Sequence, residues 1–322
     1  MTHTSSTVDV FYSSDEKFAP ILSVSLTSLV VNTSSKRNYN IHVLSRAITP
    51  ESREKLSTIV STYPNISLEF IDMDQAVIET LQNDDNRLYA EVDAIEIYFR
   101  LFIAELFPHI ERGVYVDADT IFEADVADLY DMDLEGNLVG AVVDPVVSSM
   151  DPDLRRYATA MVSVEADHYV NSGVLVMDLA GWSHFKVAQH FVELLNQYHV
   201  SSIAADQDYL NTMLEGHIKE LPFSWNVMMA AGAPIPEEVN FVHWNLVNKP
   251  WEIDGAPLED RFWYYADQSP FAQEVHELKN NSTRTAEDDK QRKIHLVASA
   301  RDFSQRPLTF RSLKDGGIQV SL

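Results

Sequence analysis

The chain has no cysteine among its 322 residues, which excludes disulfides, cysteine-ligated zinc and a thiol nucleophile. Any metal must therefore sit on oxygen or imidazole ligands, a set that suits a hard divalent cation. Positive charge is also scarce: 24 Lys and Arg stand against 49 Asp and Glu, a formal net charge of -25. Nucleic-acid backbones are bound by a surplus of basic residues, so no nucleic-acid partner is expected. Nowhere do roughly 20 apolar residues run together as a spanning helix requires. The opening stretch MTHTSSTVDVFYSSDEK has neither a basic n-region nor an apolar h-region, so no signal peptide is read there and a cytoplasmic protein is expected.

What the chain does have is material for a core. A hydrophobic share of 45% over 322 residues can fill one large domain or a domain with an appendage. Charge is unevenly spread. Residues 281–322 hold eight Lys or Arg against five Asp or Glu, leaving 16 basic and 44 acidic residues before them. The expected organisation is a main domain over 1–280 and a more basic C-terminal extension over 281–322, with the polar stretch from Asn280 to about Gln291 as linker. The basic segment could make a weak peripheral contact with an anionic membrane at its inner face, or dock on its own acidic body.

Hydrophobic patterning gives an α/β order. Val8 to Tyr12 reads as a strand, Phe18 to Asn32 as a helix with Pro20 in its first turn, and Tyr39 to Leu44 as a second strand. A capped helix follows from Thr49 to about Thr62, then a third strand from Ser67 to Ile71. This alternation predicts a parallel sheet with ligands gathered at the carboxyl ends of its strands. Further on, Ile95 to Leu106 has helical spacing and Val114 to Val116 reads as a strand. Leu138 to Val143 and Val174 to Met177 follow as buried strands, and Trp182 to Tyr198 and Asp206 to Leu214 as helices. The long connection from Pro145 to His168 is a candidate lid or acceptor loop, unless it contains a helix of its own.

The chemistry begins where the strand Val114 to Val116 ends. Asp117-Ala118-Asp119 sets two carboxylates around one small residue, a hard-oxygen pair suited to Mn2+ or Mg2+ and to bridging a substrate phosphate. In so acidic a chain such a pair also fits a solvated turn. The stretch DADTIFEADVADLYDMD has a superficial likeness to a calcium loop, without the central Gly and terminal Glu of an EF-hand. His243 could complete a metal site as an imidazole ligand or be a structural histidine. Lys249 could face an anion or solvent, and Arg100 sits among apolar residues, at a site or paired near the core. Asp144 with Pro145 could open a turn, and Asp206-Gln207-Asp208 suits a helix N-terminus.

Six segments in order carry a resemblance to glycosyltransferase family 8, which includes bacterial lipopolysaccharide galactosyltransferases and glycogenin. They are the opening strand with Ser13-Ser14-Asp15, Tyr98-Phe99-Arg100-Leu101, Tyr115 to Thr120, Asn171-Ser172-Gly173-Val174, Asp206-Gln207-Asp208, and His243 with Lys249-Pro250-Trp251. The resemblance spans roughly residues 8–255. It implies a GT-A fold, a Rossmann-like mixed sheet flanked by helices. It also implies Mn2+-assisted transfer of a hexose, glucose or galactose, from a UDP-sugar with retention of configuration. The acceptor would be a saccharide, a glycan-lipid or a glycoprotein.

By the same resemblance Asp117, Asp119 and His243 are metal ligands, and Ser13, Asp15, Phe18, Arg100, Ala118, Asp144, Asn171 and Lys249 join the first two in binding the donor. Asp15 would meet the uracil N3-H, Phe18 would stack on the base, and Lys249 would face the diphosphate. Gln207 and Asp206 would lie nearest the reacting carbon, Gln207 steadying an oxocarbenium-like centre and Asp206 a sugar hydroxyl. Two positions depart from the pattern: Lys17 where relatives have Asn at the ribose, and Leu246 where they have Gly near the phosphates. A nucleotide-sugar-binding module with little transfer, a self-glucosylating enzyme and a calcium-binding surface protein are the competing functions. On this assignment, Asp119→Ala abolishes Mn2+-dependent UDP binding in calorimetry and leaves metal-free thermal stability near wild type; unchanged UDP affinity removes the acidic pair from the site.

Overall fold

The computed structural model describes residues 7–82, 95–230 and 232–322; the first six residues, part of the stretch read for a signal peptide, lie outside the described residues. The ten strands among the described residues are β1 (Thr7–Asp15), β2 (Asn38–Arg46), β3 (Ile66–Asp72), β4 (Arg112–Val116), β5 (Thr120–Phe122), β6 (Val139–Val143), β7 (Val170–Asp178), β8 (Ile218–Glu220), β9 (Val227–Met228) and β10 (Phe241–His243). The chain forms two compact units. One comprises Met1–Asp72, Gly113–Asp133 and Pro222–Arg292, the other Met73–Arg112, Leu134–Leu221 and Lys293–Leu322.

In the first unit β3, β2, β1 and β4 lie side by side, all parallel. Strands buried on both faces need near-continuous apolar runs, and β1 supplies one: Val8, Val10, Phe11 and Tyr12 are fully buried. The helix Ala19–Asn32 is enclosed almost all round, so its interior hydroxyls must find partners within the protein. They do. Thr27 and Ser28 donate to carbonyls three or four residues back, and Ser25 Oγ lies 3.1 Å from Tyr12 Oη and 3.0 Å from Thr120 Oγ1. Thr120 Oγ1 in turn donates to the carbonyl of Asp117 at 2.6 Å. The helix is thereby tied to the backbone of the acidic pair.

A smaller three-stranded sheet, in the order β5-β10-β9, completes this unit. Strand β10 runs antiparallel to β5, pairing His243 with Thr120, and parallel to β9, pairing His243 with Met228. Of the stretch read as a linker, only residues 282–285 lie between helices; the rest belongs to the helix ending at Asn281 and to the helix Ala286–Phe303.

In the second unit β6 lies between β7, antiparallel to it, and β8, parallel to it. One sequence reading changes here, and another is decided between its two alternatives. The helix expected over Trp182 to Tyr198 is two helices, Leu179–Phe185 and Val187–Tyr198, broken where Lys186 adopts a left-handed backbone (φ 55°). No glycine marks the break, so apolar spacing alone reads through it. The connection Pro145 to His168 is helical, with turns over Val146–Met150, Pro152–Tyr157, Ala158–Val162 and Ala166–His168. Among the described residues no helix is long and apolar enough to cross a membrane.

That connection is also anchored. The buried carboxylate of Asp208 accepts hydrogen bonds from Tyr157 (2.5 Å), Tyr169 (2.6 Å) and Ser202. Burial pushes its pKa up from 3.8 to about 6, against the lowering effect of those hydroxyls. A carboxyl whose pKa is raised on folding binds its proton more tightly in the native state. Its contribution to stability is present below the unfolded value and lost as pH rises through the folded one. Wild-type stability should therefore fall between pH 4 and 6, relative to Asp208→Asn, by up to about 3 kcal/mol. Urea unfolding of both proteins across that range measures it, and a pH-independent difference contradicts it.

Candidate functional site

Asp117, Ala118 and Asp119 form the short link between β4 and β5, and the pairing of β5 with β10 continues past the strands through the Trp244 N-H, which donates to the Asp119 carbonyl at 3.1 Å. This ladder carries His243 to the acidic pair across more than a hundred residues of sequence. Its Nε2 stands 3.3 Å from Asp119 Oδ1 and 3.8 Å from Asp117 Oδ2. One ligand atom from each of the three lies within 4.8 Å of the others, an arrangement that could hold a metal ion. Two carboxylates and an imidazole suit a hard or borderline divalent cation.

Lys249 closes the same cluster. Its Nζ lies 2.6 Å from Asp119 Oδ2, donates to the Trp244 carbonyl at 2.7 Å, and sits 5.1 Å from the centre of the Trp251 ring. Burial by itself would push the Asp119 pKa up, but Lys249 and His243 outweigh it and hold the carboxyl well below the usual carboxylate range. The pairing also revises the stability half of the Asp119→Ala expectation. Both side chains are largely buried, 13% and 15% exposed, and removing one partner of a buried pair costs about 3–5 kcal/mol. The variant is expected to lose metal-free stability as well as a candidate metal ligand.

The turn between His243 and Lys249 bears on the glycine missing from it. Leu246 and Asn248 both adopt left-handed backbone, with φ 59° and 60°. For a leucine this costs about 1–2 kcal/mol. The loop keeps a conformation that glycine would take without strain, and Asp289 accepts the Asn248 N-H at 2.7 Å within it.

Three other predicted residues lie in this unit. Asp15 Oδ1 accepts the Phe18 N-H at 2.9 Å, bracing the entry to the helix Ala19–Asn32. Ser13 Oγ is buried and has no hydrogen-bond partner among the described residues. Phe18 meets Trp251 edge to face, ring centres 6.3 Å apart, and the two line a cleft of about 520 Å3 together with Lys17 and Glu252.

The second unit gathers Arg100, Asp144, Asn171, Asp206 and Gln207 into one buried polar network. Arg100, on the 3-10 helix Ile95–Phe102, is 2% exposed. It donates to the Ile97 and Ser172 carbonyls and lies 3.1 Å from Asp206 Oδ2. The Gln207 amide is engaged at both ends. Its Oε1 accepts from Asn171 Nδ2 (2.9 Å) and the Ser172 N-H (3.0 Å), and its Nε2 donates to Asp144 Oδ2 (3.0 Å) and Tyr169 Oη (3.2 Å). Asp144 also braces the following turn by accepting the Val146 N-H at 2.8 Å. The turn expected at Asp144 with Pro145 is present.

Tyr169 and Asn226 carry no mark in the sequence, and Tyr115 and Ser172, though within the matching segments, had no role assigned. Tyr115 donates from Oη to Asp117 Oδ1 at 2.9 Å, and its position two residues before Asp117 on a strand was the available signal. Asn226 lies 17 residues from the histidine it touches, and nothing in its sequence context marks it.

Comparison with known proteins sets these clusters in a family. A putative glycosyltransferase of Haemophilus influenzae is 25% identical over 217 residues, covering 67% of this chain and 62% of its own length. The lipopolysaccharide 1,2-glucosyltransferase of Escherichia coli K12 is 24% identical over 264 residues, covering 77% and 74%. Among solved structures, the galactosyltransferase LgtC in complex with donor and acceptor sugar analogues superposes with a TM-score of 0.67 at 21% identity, over 88% of this chain and all of the other. The fold is thus the GT-A glycosyltransferase fold. The model of glycosyl transferase family 8 matches residues 9–255, three-quarters of the chain, and this protein belongs to that family.

Proposed function

We propose that this protein is a retaining hexosyltransferase that moves glucose or galactose from a UDP-sugar to a saccharide, glycan-lipid or glycoprotein acceptor with the help of Mn2+ or Mg2+. The observation that carries this reading is the convergence of Asp117, Asp119 and His243 within 4.8 Å of one another, with Lys249 beside them. The match to a glycosyltransferase family and the likeness to a lipopolysaccharide glucosyltransferase and a galactosyltransferase support the reaction class and the hexose donor. When bound, a divalent cation supplies charge to neutralise the departing diphosphate. Asp117, Asp119 and His243 would hold it, and Lys249, already anchored to Asp119, adds a fixed positive charge for the same leaving group.

The base end of the donor falls to Asp15 and Phe18, the latter beside a cleft of nucleobase-accepting size. Arg100, Asp144, Asn171 and Asp206 offer the charged and amide groups that bind sugar hydroxyls. For Gln207 the hydrogen-bond inventory favours an electrostatic role over a nucleophilic one, because its carbonyl oxygen already accepts two hydrogen bonds and an amide is a poor nucleophile. Retention then follows from attack on the leaving-group face, the acceptor's proton passing to a phosphate oxygen of the leaving UDP. In the segment 281–322 Arg284 pairs with Glu252, Arg301 with Asp153 and Lys314 with Glu215, which favours docking of this basic segment on the chain's own acidic body over a membrane contact.

UDP-glucose and UDP-galactose, each incubated with Mn2+ and no acceptor, should reveal the donor by slow, chelator-sensitive release of UDP from one of them; release from neither speaks against a transferase using either sugar. Intact-mass and peptide analysis after turnover should find no hexose on Asp206 or Gln207. An adduct on either replaces front-face attack with a covalent intermediate.

A further inference from the structure

Asn226 is fully buried and immediately precedes β9. The parallel register of β9 with β10, Val227 against Val242 and Met228 against His243, brings it alongside the histidine. Its Oδ1 stands 3.0 Å from His243 Nδ1, and its backbone N-H is held by the Phe223 carbonyl at 3.0 Å. An amide oxygen accepts and cannot donate, so the hydrogen of this contact sits on Nδ1. In the neutral ring the lone pair is then on Nε2, the nitrogen facing Asp119 at 3.3 Å and Asp117 at 3.8 Å.

Two forces compete for that proton. Asp119, next to Nε2, favours a hydrogen on Nε2, which would donate to the carboxylate and block a cation. Asn226 favours the hydrogen on Nδ1, which leaves Nε2 to a metal. The ring is 2% exposed, so water offers Nδ1 no ready substitute for the amide. We infer that Asn226 is a positioning residue of the metal centre, holding His243 in its Nδ1-H form and aiming the Nε2 lone pair at the point shared by Asp117 and Asp119. The inference rests on the reading of those three residues as ligands to a divalent cation. Asp117 shows the same logic on the carboxylate side: Tyr115 donates to its Oδ1, and the other oxygen, Oδ2, faces His243.

The test uses the full chain with Asn226→Ala and Asn226→Asp. Mn2+ is titrated by calorimetry with saturating UDP, and 15N imidazole spectra of the metal-free proteins report the His243 tautomer. Loss of a partner that orients a ligating histidine typically weakens metal binding by about 10–100-fold, and Asn226→Ala should fall in that range while its histidine shifts toward the Nε2-H form. Asn226→Asp keeps an acceptor and should bind Mn2+ close to wild type with Nδ1 still protonated. Wild-type Mn2+ affinity in Asn226→Ala, or an Nε2-H tautomer in the wild type, overturns the inference. Should Asn226→Ala fail to fold, the Asn226→Asp affinity and the wild-type tautomer decide it. A wild type that takes up no Mn2+ sinks the metal reading instead, and the tautomer shift then tests the hold of Asn226 on His243 by itself.

Discussion

Much of the first unit is arranged to keep one buried carboxylate ionised. Asp119 is withdrawn from water, which by itself favours its neutral form, yet its carboxyl is held well below the usual carboxylate range. Lys249 at one oxygen and His243 near the other supply the compensation, and both arrive from distant sequence. The Asp119 carbonyl continues the β5–β10 ladder, so backbone pairing and side-chain charge depend on one another. Loss of the register would separate the imidazole from the carboxylates, and loss of the lysine would leave a buried negative charge under-compensated.

The second unit holds a neutral amide in a network that also contains the Arg100–Asp206 ion pair and the Asp144 carboxylate. Gln207 is engaged through both ends of its amide, and its partners Asp144, Asn171 and Tyr169 are themselves braced by backbone groups or by Asp208. A saturated network of this kind fixes each side chain in one orientation, because any rotation strands a buried donor or acceptor. On the proposed role of Gln207, such rigidity would let it steady a transient positive centre without reorganising as charge develops.

Several features were legible in the sequence because local chemistry dictates them. The parallel strand β1, buried on both faces, needs a near-continuous apolar run, and Val8 to Tyr12 shows one broken only by Asp9; Asp117 follows β4 because the apolar run stops there. Arg100 stood out because a charge among apolar neighbours requires a partner, whereas Asp206 and Gln207 read locally only as a helix N-terminus and were singled out by the family resemblance. Other features leave little trace. Lys186 breaks a helix without glycine or proline, and the short strands β5, β9 and β10 carry too few residues to show alternation. Leu246 takes a glycine-like backbone that its identity argues against, held by a loop fastened at Lys249 and Asp289.

By itself the sequence determined the α/β class, the absence of thiol chemistry, the family resemblance and the types of side chain available for a metal and a diphosphate. All of these follow from residue identity and short-range order. Tertiary structure alone decided which of those side chains meet. It paired Lys249 with Asp119, set Asn226 against His243, turned the Pro145 to His168 connection into helices anchored on Asp208, and closed both ends of the Gln207 amide. The physical reason is that each of these contacts joins residues separated by 17 to 130 positions, and only strand register and packing bring such residues within hydrogen-bonding distance.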